Sequence, residues 1–434
     1  MKFRPVPDTA GRSKRDMIMN TREDLPGIVR NGVYFVRWTL ISLLMGTVCG
    51  LVGTAFGFGV AYSQQFFREN PFMLFLMPVS GILIVLVHKA LDQVGNKGTN
   101  LILESISSTE QIRFSTLPCI FISTILSHLT GASAGKEGAA LQIGGCIGNT
   151  LGGLFHMDER DKKVAIMSGM SGCFGAIFGT PLAASMFGME VISVGVAYYA
   201  ALVPCVFSAF IGSFISSRLG LHGEAFTILR VPEFSLKPAA LIVLLALLGA
   251  FVSVCFCILL HEVQKLYKAK LQNVYARILT ASALFIGLSL VFGREYCGAG
   301  FNLVEAAMEG NVPYEAFLLK MLFTAVALGG GFKGGEIVPT LAVGATMGAA
   351  FGNFLGFEPS LCAACGMLAL FAGVTNCPVA TIFMGFELFG FEGMKYFALA
   401  VSVSFALSGY YGLYSSQKFT YSKTRTEFIN RKAH

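Results

Sequence analysis

Two segments of this chain resemble each other at a distance of about half its length, and each has a glutamate behind a glycine-rich turn. Residues 131–137 read GASAGKE and residues 330–336 read GGFKGGE, which places Glu137 and Glu336 at 336 − 137 = 199 residues apart. A second ordered block recurs after 378 − 181 = 197 residues. Two ordered blocks at nearly equal offset predict a duplicated fold, and paired apolar segments interrupted by Gly or Pro indicate the binding site of a membrane transporter. The other matching residues are Gly145, Gly153, Gly169, Phe174, Pro181 and Glu190, which correspond to Gly344, Gly352, Gly366, Phe371, Pro378 and Glu387.

The composition is that of a membrane protein. The chain is 54% hydrophobic and 13% charged, against roughly 25% charged residues in a soluble domain. The segments Val164–Phe178 and Leu361–Val374 are short and end at Gly or Pro, which predicts helices that stop inside the membrane against other protein. No segment alternates in the manner of a barrel strand. We therefore predict an all-α polytopic membrane protein. Longer apolar runs occur at Trp38–Tyr62, Phe72–Val87, Pro238–Leu260, Ile278–Phe292 and Phe397–Leu413.

The net charge of +7 is concentrated near the two ends of the chain and near its middle. By the positive-inside rule, these three basic regions are expected to be cytoplasmic, so the charge does not indicate a nucleic-acid partner. The predicted organisation is a cytoplasmic N-terminal arm (1–32), a first membrane repeat (33–225), a second membrane repeat (226–417) and a cytoplasmic C-terminal tail (418–434). The absence of a disulfide-rich segment favours the inner membrane of a bacterial cell as the location.

Enzymatic and metal-dependent functions have little support. The eleven cysteines are scattered in apolar helices, and the pair Cys362 and Cys365 is interpreted as packing because clustered histidines are absent. The segment 131–138, GASAGKEG, lacks the spacing of a phosphate-binding loop, and Glu137 stands where a Ser or Thr would hold magnesium. No nucleophile–base pair is evident, so we expect neither an enzyme, a cofactor nor a metal site.

Glu137 and Glu336 are the strongest functional candidates. Each follows a glycine-rich turn and precedes an apolar segment, Ala139–Ile147 or Ile337–Ala350, so each is expected at a helix N-terminus. Such ends bind anions through free N–H groups and the helix dipole. A carboxylate there can occupy the anion site as a tethered ligand and leave it on protonation, which couples proton movement to anion movement. Simple helix capping is the alternative, but a carboxylate inside a membrane costs roughly 2.5–3.5 kcal/mol or more and is by default functional.

A cation/proton antiporter is the competing transport class, since two intramembrane carboxylates alone would permit it. It is disfavoured because the dipole at a helix N-terminus disfavours a bound cation. An intramembrane enzyme or receptor is a third class, and the symmetry between the two halves of the chain fits transport better.

Three further residues have more ordinary interpretations. Glu190 and Glu387 lie near the ends of the predicted helices Leu182–Ser193 and Val379–Phe389, and a structural role is favoured for both. Tyr414 ends the last apolar run, where tyrosine is most often an interface anchor. Alternatively, its hydroxyl points inward and donates to an anion.

Four segments resemble motifs of the CLC family of anion channels and proton-coupled anion transporters. Gly135–Gln142 (GKEGAALQ) resembles GREGP-x-x-Q, and Gly334–Gly344 is similar to the GIFAP-type segment. Gly179–Val191 resembles APLAG-x-x-F, and Leu413–Ser416 fits the tyrosine segment. The resemblance extends over most of the chain. It implies a homodimer with one ion pathway in each subunit, between two inverted-topology repeats with broken helices.

The resemblance also implies roles for individual residues. Glu137 takes the gating position, and Glu336 replaces an aliphatic residue of the second loop. The GSGIP motif is represented only by GNKGTN at 95–100, where either Asn96 or Lys97 takes the position of the selectivity serine. The internal proton-transfer glutamate of chloride/proton exchangers falls at Val191. The remaining implied anion-binding residues are Gly135, Lys136, Gly138, Gly335, Ile337, Val338 and Tyr414.

These departures resemble the fluoride/proton antiporter branch. Fluoride is small, strongly hydrated and basic enough to share a proton with a carboxylic acid, so a protonated Glu336 can donate a strong hydrogen bond to it. We expect Glu336 and Tyr414 to hold fluoride and Glu137 to block or release the outer path. Inward proton flow would then drive fluoride out of the cytoplasm. The alternative is a chloride channel or chloride/proton antiporter of the same family.

Overall fold

The computed structural model describes residues 27–108 and 110–434, so residues 1–26 of the predicted N-terminal arm lie outside the described part of the chain. Helix α1 begins at Gly27, six residues before the predicted start of the membrane repeat at Val33. The helices of the first half are α1 (Gly27–Glu69), a 3₁₀ helix (Pro71–Leu76), α2 (Met77–Ala90), α3 (Thr99–Ser107), α4 (Thr116–Leu129), α5 (Glu137–Leu154), α6 (Glu159–Phe178), α7 (Pro181–Glu190) and α8 (Leu202–Arg218).

The second half repeats this order of helices after an extended connection at residues 219–235. Its helices are α9 (Leu236–Lys270), α10 (Val274–Phe292), α11 (Phe301–Met308), α12 (Ala316–Gly330), α13 (Ile337–Leu355), α14 (Pro359–Thr375), α15 (Pro378–Phe389) and α16 (Met394–Leu407).

The structure combines helices long enough to cross a membrane with shorter ones, as the sequence predicts. Within the described residues, six helical stretches are long and apolar enough to cross a membrane, and α9 is the most apolar of them. Helices α4, α12, α14, α15 and α16 are apolar but shorter. The predicted run Phe397–Leu413 is helical only to Leu407, because the chain then turns at Gly409 with a positive φ of 61°.

Glycines bring α5 against α6 and α13 against α14 in the same way. A Cβ placed on Gly144 would lie 2.2 Å from Gly169 O, and one placed on Gly344 would lie 2.6 Å from Gly366 O. The pairing of Gly145 with Gly344 in the sequence analysis is therefore wrong by one residue. Gly144 is the structural equivalent of Gly344, while Gly145 packs on Ile102. The offset between the halves in this region is 344 − 144 = 200 residues.

Two carboxylates join the halves through reciprocal helix capping. Glu387, near the end of α15, accepts hydrogen bonds from the backbone N–H groups of Leu182 and Ala183 at 2.8 and 2.9 Å. Glu190, the last residue of α7, accepts from the first-turn N–H groups of α15, at 3.2 and 2.9 Å. A negative charge at a helix N-terminus is stabilising. These contacts agree with the structural role expected for both residues.

A small sheet accompanies the helices and was not anticipated by the all-α prediction. Strand β1 (Ser193–Val194) pairs in parallel with β2 (Lys418–Tyr421), which pairs antiparallel with β3 (Phe428–Lys432). Consequently α7 ends at Glu190, three residues before its predicted end. The C-terminal tail is also held by Lys423, whose ammonium donates to a hydroxyl of the loop after α16 at 2.9 Å.

Candidate functional site

The two glycine-rich loops meet at the centre of the molecule. Gly135 N donates to Gly335 O at 2.7 Å, and Gly335 N donates to Gly135 O at 2.7 Å, which forms an isolated antiparallel bridge. A Cβ on Gly335 would lie 2.4 Å from Gly138 N, so a side chain at this position would collide with backbone. The N-termini of α5 and α13 are therefore held next to each other.

The two glutamates do not occupy equivalent positions in these loops. Because Gly135 pairs with Gly335, the structural offset is 200 residues rather than the 199 that separates the glutamates. Glu137 is the first residue of α5 and corresponds to Ile337. Glu336 is the N-cap of α13 and corresponds to Lys136. The equivalence of Glu137 and Glu336 that the sequence suggested is therefore wrong by one residue.

Glu137 is fully buried at the junction of the two loops. Its side chain is 0% exposed, and neither carboxylate oxygen has a hydrogen-bond partner among the described residues. A methyl group built on Gly135 would lie 2.8 Å from Glu137 Oε2 and 3.2 Å from Val338 N. The carboxylate thus folds back over Gly135, close to the first turn of α13. This is the position of a tethered anion at a helix N-terminus.

Glu336 faces a cavity of about 170 Å³ on the other side of this junction. The same cavity is lined by Tyr414, by Gly98, the N-cap of α3, and by Thr99, its first residue. Thr99 Oγ1 donates to Gly138 O at 3.4 Å, which places the N-terminus of α3 beside that of α5. Three helix N-termini therefore converge where the candidate residues lie.

Tyr414 reaches this cavity from the loop after α16. Its side chain is 1% exposed, and its hydroxyl has no partner among the described residues. The loop is fixed by Gln417, whose side-chain amide donates to Val191 O and Thr375 O at 2.8 Å each. Asn376 supports it by donating to Gln417 Oε1 at 3.0 Å. The buried, inward orientation of the hydroxyl argues against the interface-anchor interpretation of Tyr414 and leaves the anion-donor role as a prediction.

Asn96 and Lys97 line the cavity, but their polar groups are largely engaged with other protein groups. Asn96 Oδ1 accepts from Gly98 N at 2.7 Å, and its amide nitrogen donates to Gln93 Oε1 at 2.6 Å. The ammonium of Lys97 forms salt bridges with Glu104 at 2.6 Å and with a second glutamate at 3.4 Å. Asn96 therefore organises the turn before α3, and Lys97 is neutralised by carboxylates.

Lys136 lies on the opposite side of the junction, where it reaches the segment that connects the two halves. It is 9% exposed, its ammonium lies 3.6 Å from Glu224 Oε1, and it stacks over the ring of Phe301 at 5.5 Å. Glu224 lies in the connection after the C-terminal end of α8, whereas strand β1 of the sheet precedes the N-terminal end of this helix. Glu224 was not identified from the sequence, and no local pattern around it signals the contact.

Asn100 is a second residue that sequence reasoning missed. Its side-chain oxygen accepts from Ser416 N at 2.9 Å and from Ser416 Oγ at 2.7 Å, and it lines the same cavity as Glu336. These bonds join the start of α3 to the Tyr414 loop.

Val191 takes the position at which the family resemblance places an internal proton-transfer glutamate. This valine is buried and has no titratable group, and its neighbour Glu190 caps α15.

Comparisons with known proteins agree with this geometry. A protein-family model described as Voltage gated chloride channel matches residues 81–409. The chain is 31% identical over 399 residues to the chloride/fluoride channel protein of Pseudomonas syringae pv. tomato, covering 90% of this chain and 88% of that one. It is 27% identical over 382 residues to the H⁺/Cl⁻ exchange transporter ClcA of Vibrio cholerae, covering 80% and 81%.

Two solved structures are similar over most of their length. A CLC-type fluoride/proton antiporter aligns with a TM-score of 0.84 and 29% identity, covering 88% of this chain and 98% of that one. A slow cyanobacterial Cl⁻/H⁺ antiporter aligns with a TM-score of 0.72 and 20% identity, covering 86% and 94%.

Proposed function

The chain belongs to the CLC family of voltage gated chloride channels and related transporters, and we propose that it is a fluoride/proton antiporter that exports fluoride using inward proton flow. The main support is Glu336, a carboxyl group at the N-terminus of α13 that shares a cavity with the unpartnered hydroxyl of Tyr414. The relatives named for fluoride and for fluoride/proton exchange support the same function.

Fluoride would bind between Glu336 and Tyr414. A protonated Glu336 carboxyl donates one hydrogen bond, and the phenolic O–H of Tyr414 donates another. Fluoride accepts such bonds more strongly than chloride does, and in a site closed to water they replace its lost hydration. The first-turn N–H groups of α13 and α3 add a positive potential at the same cavity. This donor set therefore favours the smaller halide.

Glu137 would couple fluoride to protons by competing for the outer part of the path. As a carboxylate it occupies the space over Gly135 and next to Val338 N. When it takes up a proton from outside, it loses the charge that held it at the helix N-termini and leaves that space to fluoride. The proton and the anion then move in opposite directions through the same narrow junction.

Carboxamide substitutions test the two roles separately. Glu137→Gln is expected to leave fluoride flux uncoupled from a pH gradient in proteoliposomes, because a carboxamide does not bind and release a proton as a carboxylate does. Glu336→Gln is expected to abolish transport or the preference for fluoride over chloride. Glu392→Gln, an exposed residue between α15 and α16, is the matched control and should leave both unchanged.

The measurement is fluoride efflux with a fluoride-selective electrode, repeated with chloride, with and without a proton gradient. Coupled exchange in Glu137→Gln would remove its assigned role, and unchanged fluoride selectivity in Glu336→Gln would remove that of Glu336. Faster chloride than fluoride exchange by the wild type would favour the second candidate, a chloride channel or chloride/proton antiporter. That candidate is supported by the similarity to ClcA.

Location and assembly belong to the same proposal. The protein would be a multi-pass protein of the cell inner membrane, with the basic tail and the α9–α10 turn in the cytoplasm. It would act as a homodimer in which each subunit has its own pathway. Cross-linking in native membranes tests the dimer, and a monomer with full exchange activity would contradict it.

A further inference from the structure

A cavity of about 330 Å³ adjoins the one that contains Glu336 and Tyr414. The two share part of their lining, including Asn96, Lys97 and Lys333. The larger cavity extends to the turn between α9 and α10 and to the end of α2. Since the sequence places the α9–α10 turn in the cytoplasm, the two cavities together form an inner entrance that leads to the candidate fluoride site.

The charged residues that line the larger cavity are mainly cations. Its charged lining residues are Lys89, Lys97, Lys268, Arg277, Lys333 and a single glutamate, Glu104. Glu104 is paired with Lys97 at 2.6 Å. Several positive charges in a confined entrance focus the electric field and raise the local concentration of anions. The inner entrance is therefore suited to collecting anions from the cytoplasm.

Lys333 holds a special position among these cations. Like Lys97 it lines both cavities, but in the described part of the chain it forms no salt bridge, whereas Lys97 forms two. Its backbone is held firmly, because Lys333 N donates to Ser127 Oγ at 3.0 Å. It precedes Glu336 by three positions along the chain. Lys333, which has no carboxylate partner among the described residues, thus lies where the wide cavity passes into the narrow one.

We propose that Lys333 binds fluoride at the inner entrance and delivers it to Glu336 and Tyr414. Its ammonium binds the anion while the anion is still partly hydrated, before the dry site takes over. This inference rests on the proposed function, since it assigns the first binding step of the same transport cycle. It predicts that Lys333 determines the KM for fluoride and has little influence on the maximal rate.

The test compares Lys333→Met and Lys333→Arg with wild type by initial fluoride efflux over a range of fluoride concentrations. Removing a cation from a focusing entrance should raise KM by about tenfold, with the maximal rate within about twofold of wild type. Lys333→Arg should restore the wild-type KM, because the charge is retained. Lys265→Met, which removes an exposed cation of α9 that lines neither cavity, is the matched control and should change nothing.

Ionic strength supplies a second measurement that does not depend on any variant. Raising an impermeant salt from about 20 to about 300 mM shortens the screening length several-fold and should raise the wild-type KM. Lys333→Met should lose most of this salt dependence. An unchanged KM in Lys333→Met, an equal effect in Lys265→Met, or a wild-type KM insensitive to salt would each overturn the proposal. If Lys333→Met is not monodisperse, Lys333→Gln replaces it.

The failure of this inference is distinguishable from failure of the proposed function. If the wild type moves chloride and not fluoride, the proposed function is wrong. The same comparison of KM values, made with chloride, still decides whether Lys333 captures the anion.

Discussion

A substitution at Glu190 tests whether this carboxylate has a structural role or a role in proton transfer. It lies beside Val191, the position at which chloride/proton exchangers of the family are expected to have a proton-transfer glutamate. In the structure its carboxylate accepts from Val379 N at 3.2 Å and from Ala380 N at 2.9 Å. We therefore predict that Glu190→Gln lowers stability and leaves the ratio of fluoride to protons unchanged.

The magnitude follows from the bonds that are lost. A hydrogen bond to a charged group contributes about 1.5–3 kcal/mol, and a charge at a helix N-terminus adds about 0.3–1 kcal/mol. Glutamine keeps one acceptor oxygen but turns an N–H₂ group toward the second backbone donor. Glu190→Gln should therefore cost about 2 kcal/mol, and Glu190→Ala about 3–4 kcal/mol. Glu387→Gln should cost at least a similar amount, since its bonds to the start of α7, at 2.8 and 2.9 Å, are as short or shorter.

The assay pairs thermal unfolding in detergent with transport in liposomes. Both glutamine variants should unfold a few degrees below wild type. Both should retain coupled exchange at the wild-type fluoride-to-proton ratio at a temperature where they are folded. If Glu190→Gln lost proton coupling at wild-type stability, the assignment of this carboxylate to helix capping would be refuted, and Glu190 would belong to the proton path.

Two further outcomes are expected from the packing of the loop and the tail. Gly135→Ala should reduce fluoride flux by more than about tenfold, because the new methyl would lie 2.8 Å from Glu137 Oε2 and overpacking there costs about 1–3 kcal/mol. Gly153→Ala, where nothing lies within 4 Å, should retain flux, and equal losses would contradict this reasoning. Burial lowers the pKa of Lys423 to about 7 from 10.5, so the folded tail binds fewer protons than the unfolded tail between these values and stability should rise with pH. Lys423→Met should flatten that rise in thermal unfolding from pH 7 to 10, whereas Lys432→Met, at an exposed position, should not.

The broken helices and the acidic helix starts were predictable from the sequence, because a glycine-rich turn followed by an apolar run has few other solutions in a membrane. Glu137 at the start of α5 and Glu336 before α13 confirm that local reasoning. The inward hydroxyl of Tyr414 was only one of two alternatives, since a terminal tyrosine has the same sequence context in either orientation. Long-range packing decides such cases.

Three features of the structure were not predicted from the sequence: the role of Asn96, the pairing of strand β2 and the ion pair of Lys136. The side chain of Asn96 was a candidate anion ligand, yet it closes the turn before α3 by accepting from Gly98 N. Strand β2 pairs with β1, which lies more than two hundred residues earlier in the chain. The ion pair between Lys136 and Glu224 likewise joins a loop to a distant connection. The strand pairing and the ion pair are tertiary contacts between segments that show no complementarity in sequence, whereas the Asn96 contact is local.

The one-residue difference in offset has a direct consequence for how the two carboxylates can act. In an inverted repeat, equivalent positions face opposite sides, and Lys136 is the equivalent of Glu336. Lys136 points toward Glu224 in the connection beyond α8, while Glu336 points into the cavity on the side of the tail. If the two halves were aligned on their acidic residues alone, Glu137 and Glu336 would be equivalent residues with equivalent roles.

Instead, consecutive helix positions point about 100° apart, so the shift by one residue gives the two carboxylates different surroundings. Glu137 is enclosed at the bridge, over Gly135 and close to Val338 N. Glu336 borders a cavity that an anion can enter while the carboxyl group stays in place. In the proposed antiport cycle, this difference would let the two carboxylates act at different steps, Glu137 by giving way to the anion and Glu336 by holding it.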